Sequence, residues 1–198
     1  MKKAIIYDFD KTIYSKETSM AFMSFFLKRH RYLIPKFILN LTIILFNIKD
    51  LKKVKNIFFS IFKGMNIEND INLFWEKEIK NIYPYFFEEI KENRKDADLL
   101  ILISASPDFL LEPIYKKLGF DILISTKYSN FTLIGKNCKK NEKLKRLNEL
   151  GNFDVLCFYS DSLSDLPLFN IAKKKISINK GNKVLGLPKK NGWLDRWI

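Results

Sequence analysis

Apolar residues fall along this chain in two rhythms. Ala4-Ile5-Ile6-Tyr7 is a short unbroken apolar run, the pattern of a strand buried on both faces, and Asp8-Phe9-Asp10-Lys11-Thr12 follows it directly. From about Ser19 to Tyr83 the rhythm turns helical. Leu51, Val54, Ile57, Phe58, Ile61 and Phe62 recur at helical spacing, with Asp50 placed to cap that helix and Gly64 to end it. Ile71, Phe74, Trp75, Glu78, Ile79 and Ile82 predict a further amphipathic helix, stopped before Pro84.

Strands and helices then alternate. Leu99 to Ile103 reads as a second buried strand, ending at Ser104-Ala105-Ser106. A helix is expected from about Phe109 to Leu118, ending at Gly119. Ile122 to Ile124 and Phe131 to Ile134 are short strands that can pair as a hairpin. A lysine-rich helix runs from about Asn141 to Leu150 and is closed by Gly151; Val155 to Tyr159 is the next buried strand, ending at Ser160-Asp161. This order implies an α/β fold, a parallel sheet covered on both faces, with a helical insertion of roughly 65 residues after the first strand.

A length of 198 residues suits one domain with a small insertion, and 47% apolar residues exclude a disordered chain. Two cysteines, Cys138 and Cys157, make neither a disulfide scaffold nor a four-ligand zinc site, so a reducing cytoplasm is the expected home. The formal net charge of +13 allows nucleic acid, anionic lipid or a phosphorylated substrate as partner. Only five of the 35 basic residues are arginine, which argues against specific nucleic-acid readout. Met1-Lys2-Lys3 resembles the start of a leader, but the apolar run after it meets Asp8 too soon. The stretch Leu33–Ile48, at 16 residues and interrupted by Lys36 and Asn40, is shorter than the ~20 a spanning helix needs.

Candidate chemistry gathers where the strands end. Asp8 and Asp10, Ser104, and Asp161 with Asp165 all follow buried strands, and in open α/β sheets those ends face one crevice. Singly, each has a plainer reading: turn aspartates, a serine cap, acids that charge a helix start. Together they form a cluster of carboxylates that repel one another unless a cation lies between them. Hard oxygen donors suit Mg²⁺, and Mg²⁺ suits a phosphate substrate.

The motifs AIIYDFDKT, LLILISAS and CFYSDSLSD resemble, in order, the first, second and fourth motifs of the haloacid dehalogenase superfamily of phosphotransfer enzymes. The helical insertion resembles that family's type-one cap. LISASPDFLLEPIYKKLG, GKNCKKNEKLKRL and YSDSLSDLPL are similar to subfamily IB, which includes phosphoserine phosphatases and phosphatidylglycerophosphatase C-like enzymes. The resemblance implies a Rossmann-like core over residues 1–14 and 86–198 and a cap over 15–85. It implies Asp8 as nucleophile and Asp10 as general acid and base. Mg²⁺ would be held by Asp8, the Asp10 carbonyl and Asp161, with Asp165 supporting from behind. Thr12 and Ser104 would bind the phosphoryl group. Lys139, Lys140 and Lys143 compete for the motif's lysine. Lys143, five residues after Cys138, fits the lipid-phosphatase-like relatives and is preferred; Lys140 fits the phosphoserine phosphatases.

For the substrate, a lipid or amphipathic phosphate is expected ahead of phosphoserine or another small metabolite. No arginine lies between Arg31 and Arg94 to grip a carboxylate, although Glu17 matches an ammonium-binding position of the phosphoserine phosphatases. Lys36, Asn40 and Asn47 share one side of a helical wheel and leave a broad apolar surface, preceded by Lys28-Arg29-His30-Arg31. That surface is either cap core or an in-plane helix on an anionic membrane, with His30 as exposed charge. The Trp193-Leu194-Asp195-Arg196-Trp197 tail is expected at the same interface or over the sheet edge. A basic binding module without catalysis is the alternative of another class, disfavoured by the intact acidic set.

Overall fold

The structure, a computed structural model, describes residues 1–189; the Trp193–Trp197 tail lies outside the described residues. In chain order the elements are β1 (Lys2–Tyr7), α1 (Thr18–Arg29), α2 (Ile34–Leu45), α3 (Leu51–Phe59), α4 (Glu68–Glu78), α5 (Pro84–Asp96), β2 (Leu99–Pro107), α6 (Asp108–Leu111), β3 (Ile122–Thr126), β4 (Tyr128–Ser129), β5 (Thr132–Leu133), α7 (Asn141–Glu149), β6 (Phe153–Ser160), α8 (Leu166–Ile171), β7 (Lys174–Asn179) and β8 (Asn182–Leu185). The main sheet has the order β3-β2-β1-β6-β7-β8, parallel except for the β7–β8 pair.

β1 lies between β2 and β6 because its apolar run can be buried on both faces. Ile5 and Tyr7 enter a large aromatic-rich core with α1, α4 and α5; Ala4 and Ile6 face the smaller core of α7 and α8. Tyr7 is level with Leu102 of β2 and Tyr159 of β6. The register therefore brings Asp8, Ser104 and Asp161 out at the same edge, where the chain's crossovers diverge to either side of β1.

Several expectations need correcting. The helix expected over 109–118 is regular only to Leu111 and continues as turns, because Pro113 has no N–H to bond the preceding turn. β3 does not pair with the 131–134 segment; it joins β2 in parallel, and β5 pairs with β4 instead. α5 was not expected, although Pro84 at its first turn and Phe86 and Ile90 on its buried face signal it. β7 and β8 were also missed; Lys180-Gly181 between them, both at positive φ, is a two-residue hairpin turn.

α2 is packed inside out. Its one buried residue is Asn40, whose amide donates to the Ile57 carbonyl and to Ser60 Oγ. Ile38, Leu39 and Leu45 are 56%, 60% and 69% exposed, and Ile34, Leu41, Ile43, Phe46 and Ile48 are exposed with them. The expected basic run before it is partly consumed: Arg29 and His30 both bond Asp70, at 2.7 and 3.0 Å, and the His30 ring packs on Phe26. His30 is thus a structural partner of a buried carboxylate and not exposed charge. Lys28, Arg31 and Lys36 remain exposed.

Candidate active site

Asp8 leaves β1 as the strand ends, its N–H still bonded to the Tyr159 carbonyl. Three N–H groups, those of Thr12, Ile13 and Tyr14, then fold back on the Phe9 carbonyl, with Lys11 in the left-handed region (φ 58°). This tight turn carries Asp10 and Thr12 over the sheet edge. Asp8 Oδ1 accepts from Lys143 Nζ at 2.8 Å, and the same ammonium donates to Asp165 Oδ2 at 2.8 Å. Asp8 Oδ2 takes no protein donor among the described residues. Ser160 Oγ also donates to Asp165 Oδ2, while Asp165 Oδ1 is buried without a partner.

Lys143 is 2% exposed and reaches the site from the first turn of α7, whereas Lys140 is exposed. Of the three competing lysines, Lys143 is the one that bonds Asp8. Burial opposes its charge, but Asp165 and Asp8 outweigh burial and hold the ammonium cationic.

Asp10 is gripped on both oxygens. Oδ1 accepts from the Thr18 N–H at 3.0 Å and from the Thr18 hydroxyl, and Oδ2 accepts from Ser106 Oγ at 2.7 Å. Both hydroxyls can reverse and accept, so this cradle serves a protonated or an ionised Asp10. Thr12 Oγ1 accepts from the Asp161 N–H at 3.0 Å and lies 3.5 Å from its Oδ1, which ties the first motif to the last. Ser104, 1% exposed, accepts from the Ser106 N–H. Glu17 pairs with Lys11 at 2.6 Å.

The electrostatics are those of too many acids in one place. Burial raises Asp8 well above the usual carboxylate range, Lys143 pulls it down, and Asp165 and Asp161 push it further up. Burial, reinforced by Asp165, pushes Asp161 up to about 7. Burial and Glu17 push Asp10 up to about 6, against the hydrogen bonds of Thr18 and Ser106. One buried ammonium does not balance these carboxylates. Among the described residues no three His, Cys, Asp or Glu side chains form a metal cage. What the edge offers is Asp8, Asp161 and main-chain oxygen, a sparse hard donor set of the kind suited to an ion that keeps its waters.

Sequence reasoning missed four contributors. Ser106 and Thr18 cradle Asp10, Ser160 supports Asp165, and Lys55 of α3 donates to the Ala105 carbonyl between the two serines at 3.1 Å. Ser106 was signalled by its position two residues after Ser104 on one strand. Lys55 had no local signal, since it arrives from the helical insertion.

The profile of the haloacid dehalogenase-like hydrolases matches residues 5–170. Over 130 residues the chain is 25% identical to a histidinol-phosphatase of Neisseria meningitidis serogroup C, covering 58% of this chain and 59% of that one. The chain spans less than three fifths of the length of the curated relatives it matches. A Bordetella pertussis Tohama I protein of unknown function shares the fold with a TM-score of 0.76 at 18% identity, over 89% of this chain and 90% of that one. A phosphoserine phosphohydrolase-like protein of Francisella tularensis superposes with a TM-score of 0.60 at 16% identity, over 88% and 86%.

Proposed function

The chain belongs to the haloacid dehalogenase-like hydrolases, and on that premise we propose that it is a Mg²⁺-dependent phosphomonoester hydrolase working through an aspartyl-phosphate. The observation that carries this reading is the Asp8–Lys143–Asp165 chain at the shared strand edge, with one Asp8 oxygen left without a protein donor. The phosphatase names of similar proteins support it. Residues 1–14 and 86–198 then act as the catalytic core and 15–85 as the cap.

Asp8 Oδ2 attacks phosphorus and the P–O bond to the leaving alcohol breaks. Asp10, raised to about 6 and so able to hold a proton near neutrality, gives that proton to the departing oxygen. Asp10 then takes a proton from water as the water oxygen attacks phosphorus. The P–O bond to Asp8 breaks, which releases phosphate and restores the carboxylate. Lys143, Ser104 and Thr12 direct donors at the phosphoryl oxygens, where positioning and charge neutralisation supply most of the rate. Asp8, Asp161 and the Asp10 carbonyl would hold Mg²⁺, whose charge offsets that of the carboxylates and of the phosphoryl group. Asp165 Oδ1, buried without a partner, would be free to support the bound ion from behind.

A direct consequence concerns stability. Asp10 and Asp161 have folded-state values near 6 and 7, above the ~3.9 of an unfolded Asp. Between about pH 4 and 7 the folded state therefore binds more protons than the unfolded state, and metal-free stability falls as pH rises through that window. The loss is on the order of a few kcal/mol for the two groups. Calorimetry of chelator-treated protein should give a lower Tm at pH 8 than at pH 5.5, with Mg²⁺ restoring more at pH 8. A pH-independent Tm that Mg²⁺ leaves unchanged contradicts the proposed ion site.

A lipid or amphipathic phosphate is the substrate we propose, met at an anionic membrane surface. The outward apolar face of α2 favours it, since an exposed patch of this kind marks an interaction surface. No helix among the described residues is long and apolar enough to cross a membrane, so contact would be peripheral. Exposed Lys28, Arg31 and Lys36 would each add about 1 kcal/mol near anionic lipid. Replacing Ile38, Leu39 and Leu45 together by Ser should abolish co-sedimentation with anionic vesicles. Turnover of a soluble aryl phosphate should be unchanged, because these side chains are already in water. Vesicle binding equal to that of the parent protein counts against the membrane reading.

A further inference from the structure

The helical insertion leaves and rejoins the core beside the turn that carries Asp10 and Thr12, and its two connecting segments pair there. Tyr14 and Ile82 form an antiparallel bridge. The Ser15 N–H donates to the Asn81 carbonyl at 3.0 Å, and the Tyr83 N–H to the Ile13 carbonyl at 2.8 Å. Beyond this short ladder, the Tyr85 hydroxyl donates to the Thr12 carbonyl at 2.6 Å, across 73 residues of sequence. Tyr85 stands in the first turn of α5 with its ring against the large core. The next residue, Phe86, is fully buried edge-on to Tyr7 of β1, with 5.7 Å between ring centroids. The hydroxyl is therefore held from the sheet side of the junction.

That bond is one of three that pin a single buried residue. The Thr12 N–H donates to the Phe9 carbonyl at 3.2 Å, its carbonyl takes Tyr85, and its Oγ1 takes the Asp161 N–H at 3.0 Å. Because the N–H groups of Thr12, Ile13 and Tyr14 converge on Phe9, the carbonyls of Thr12 and Ile13 find their donors outside the turn, in Tyr85 and Tyr83. The bond from the Asp161 N–H uses a lone pair of the Thr12 hydroxyl and leaves its proton to be given elsewhere. Asp161 Oδ1, at 3.5 Å, is only a long contact for that proton. A phosphoryl oxygen can take it as long as the Thr12 peptide stays where it is. Phenylalanine would pack as well as tyrosine at position 85, so what the hydroxyl adds is the donor to Thr12.

We propose that Tyr85 is a positioning residue: through the Thr12 carbonyl it fixes the Thr12 hydroxyl, and the Asp161 main chain bonded to it, against the transferring phosphoryl group. The inference rests on the phosphatase reading above and adds to it a residue that lies outside every motif. Tyr85 touches no reacting atom. Its effect falls on the transition state, where a donor out of line by a fraction of an ångström loses most of its worth.

Tyr85→Phe keeps the ring and removes one donor. It should lower kcat for an aryl phosphate about five- to tenfold, the worth of one hydrogen bond, with KM within about twofold of the parent's. Tyr83→Phe is the control: the Tyr83 hydroxyl has no protein partner among the described residues, so kcat should match the parent's. The deciding comparison is Thr12→Val with and without Tyr85→Phe. Once the Thr12 hydroxyl is gone, removing the Tyr85 hydroxyl should cost no further rate. A tyrosine that merely supports the fold would lower Tm in both backgrounds and leave kcat below Tm unchanged. Calorimetric binding of orthovanadate, a mimic of the phosphoryl group in transfer, repeats the cycle without turnover. Tyr85→Phe should weaken that binding several-fold in the parent and not in Thr12→Val. Unchanged kcat in Tyr85→Phe, or the same loss again on top of Thr12→Val, overturns the proposal. A parent protein that hydrolyses no ester yet shows the orthovanadate difference strikes the phosphatase reading and leaves the positioning role standing.

Discussion

Asp8→Asn should reduce kcat for phosphate esters by at least about 10⁴-fold, the order lost when a covalent nucleophile is removed from a site that keeps its other groups. The amide presents no anionic oxygen to phosphorus, so the first bond cannot form. It also removes one of the two carboxylates proposed to hold Mg²⁺ and turns the acceptor of one Lys143 hydrogen bond from a charged oxygen into a neutral amide oxygen. The fold should survive the change. Asp8 is a buried acid whose ionisation burial and Asp165 resist, so a neutral amide of the same size relieves repulsion at the strand edge. The expected pair of results is therefore lost turnover with an equal or higher Tm in metal-free buffer. Stopped-assay kinetics and calorimetry check both, and measurable turnover at a tenth of the parent rate contradicts the assignment.

Lys143→Met should act on stability as well as on rate. The methionine keeps the volume of the stem, so what is removed is the charge and its two 2.8 Å bonds to Asp8 and Asp165. Breaking a buried ion pair from one side leaves carboxylates uncompensated and typically costs about 3–5 kcal/mol. For a chain of this size that is a fall in Tm of about 10 °C. Loss of a donor to the phosphoryl oxygens should lower kcat by at least about a hundredfold at temperatures where the variant is folded. Lys140→Met is the control: its side chain is exposed, so Tm should hold and kcat should change little. Equal effects of the two changes, or a rate loss confined to Lys140, would reverse the assignment of the lysine.

The sheet edge was legible because its signals are local. An apolar run that ends in Asp8 and Asp10, another that ends in Ser104 and a third that ends in Asp161 state both the strand and its polar terminus within a few residues. Parallel order then follows from burial on both faces. Asp50 capping α3 through the Lys53 N–H was readable for the same reason. What escaped depended on distant contacts. Whether α2 turned its apolar residues inward rested on Asn40 finding Ile57 and Ser60, seventeen and twenty residues away. His30 looked like surface charge until Asp70, forty residues on, was placed beside it. Lys55 is one lysine among three on a short helix, and nothing in its neighbourhood marks it out; only its 50-residue separation from Ala105 being closed does so. The extended helix expected over 109–118 is a different failure, since Pro113 was in plain view.

Chemical trapping of the covalent intermediate separates attack by Asp8 from direct attack by water. The protein is mixed with an excess of an aryl phosphate and Mg²⁺, quenched during turnover and treated with borohydride, which reduces an acyl-phosphate carbonyl to the alcohol. Peptide mass spectrometry then reads residue 8. Homoserine at position 8, dependent on substrate and absent from Asp8→Asn, is the expected result. Steady turnover with position 8 remaining aspartate throughout would mean that water attacks the ester directly and would contradict it.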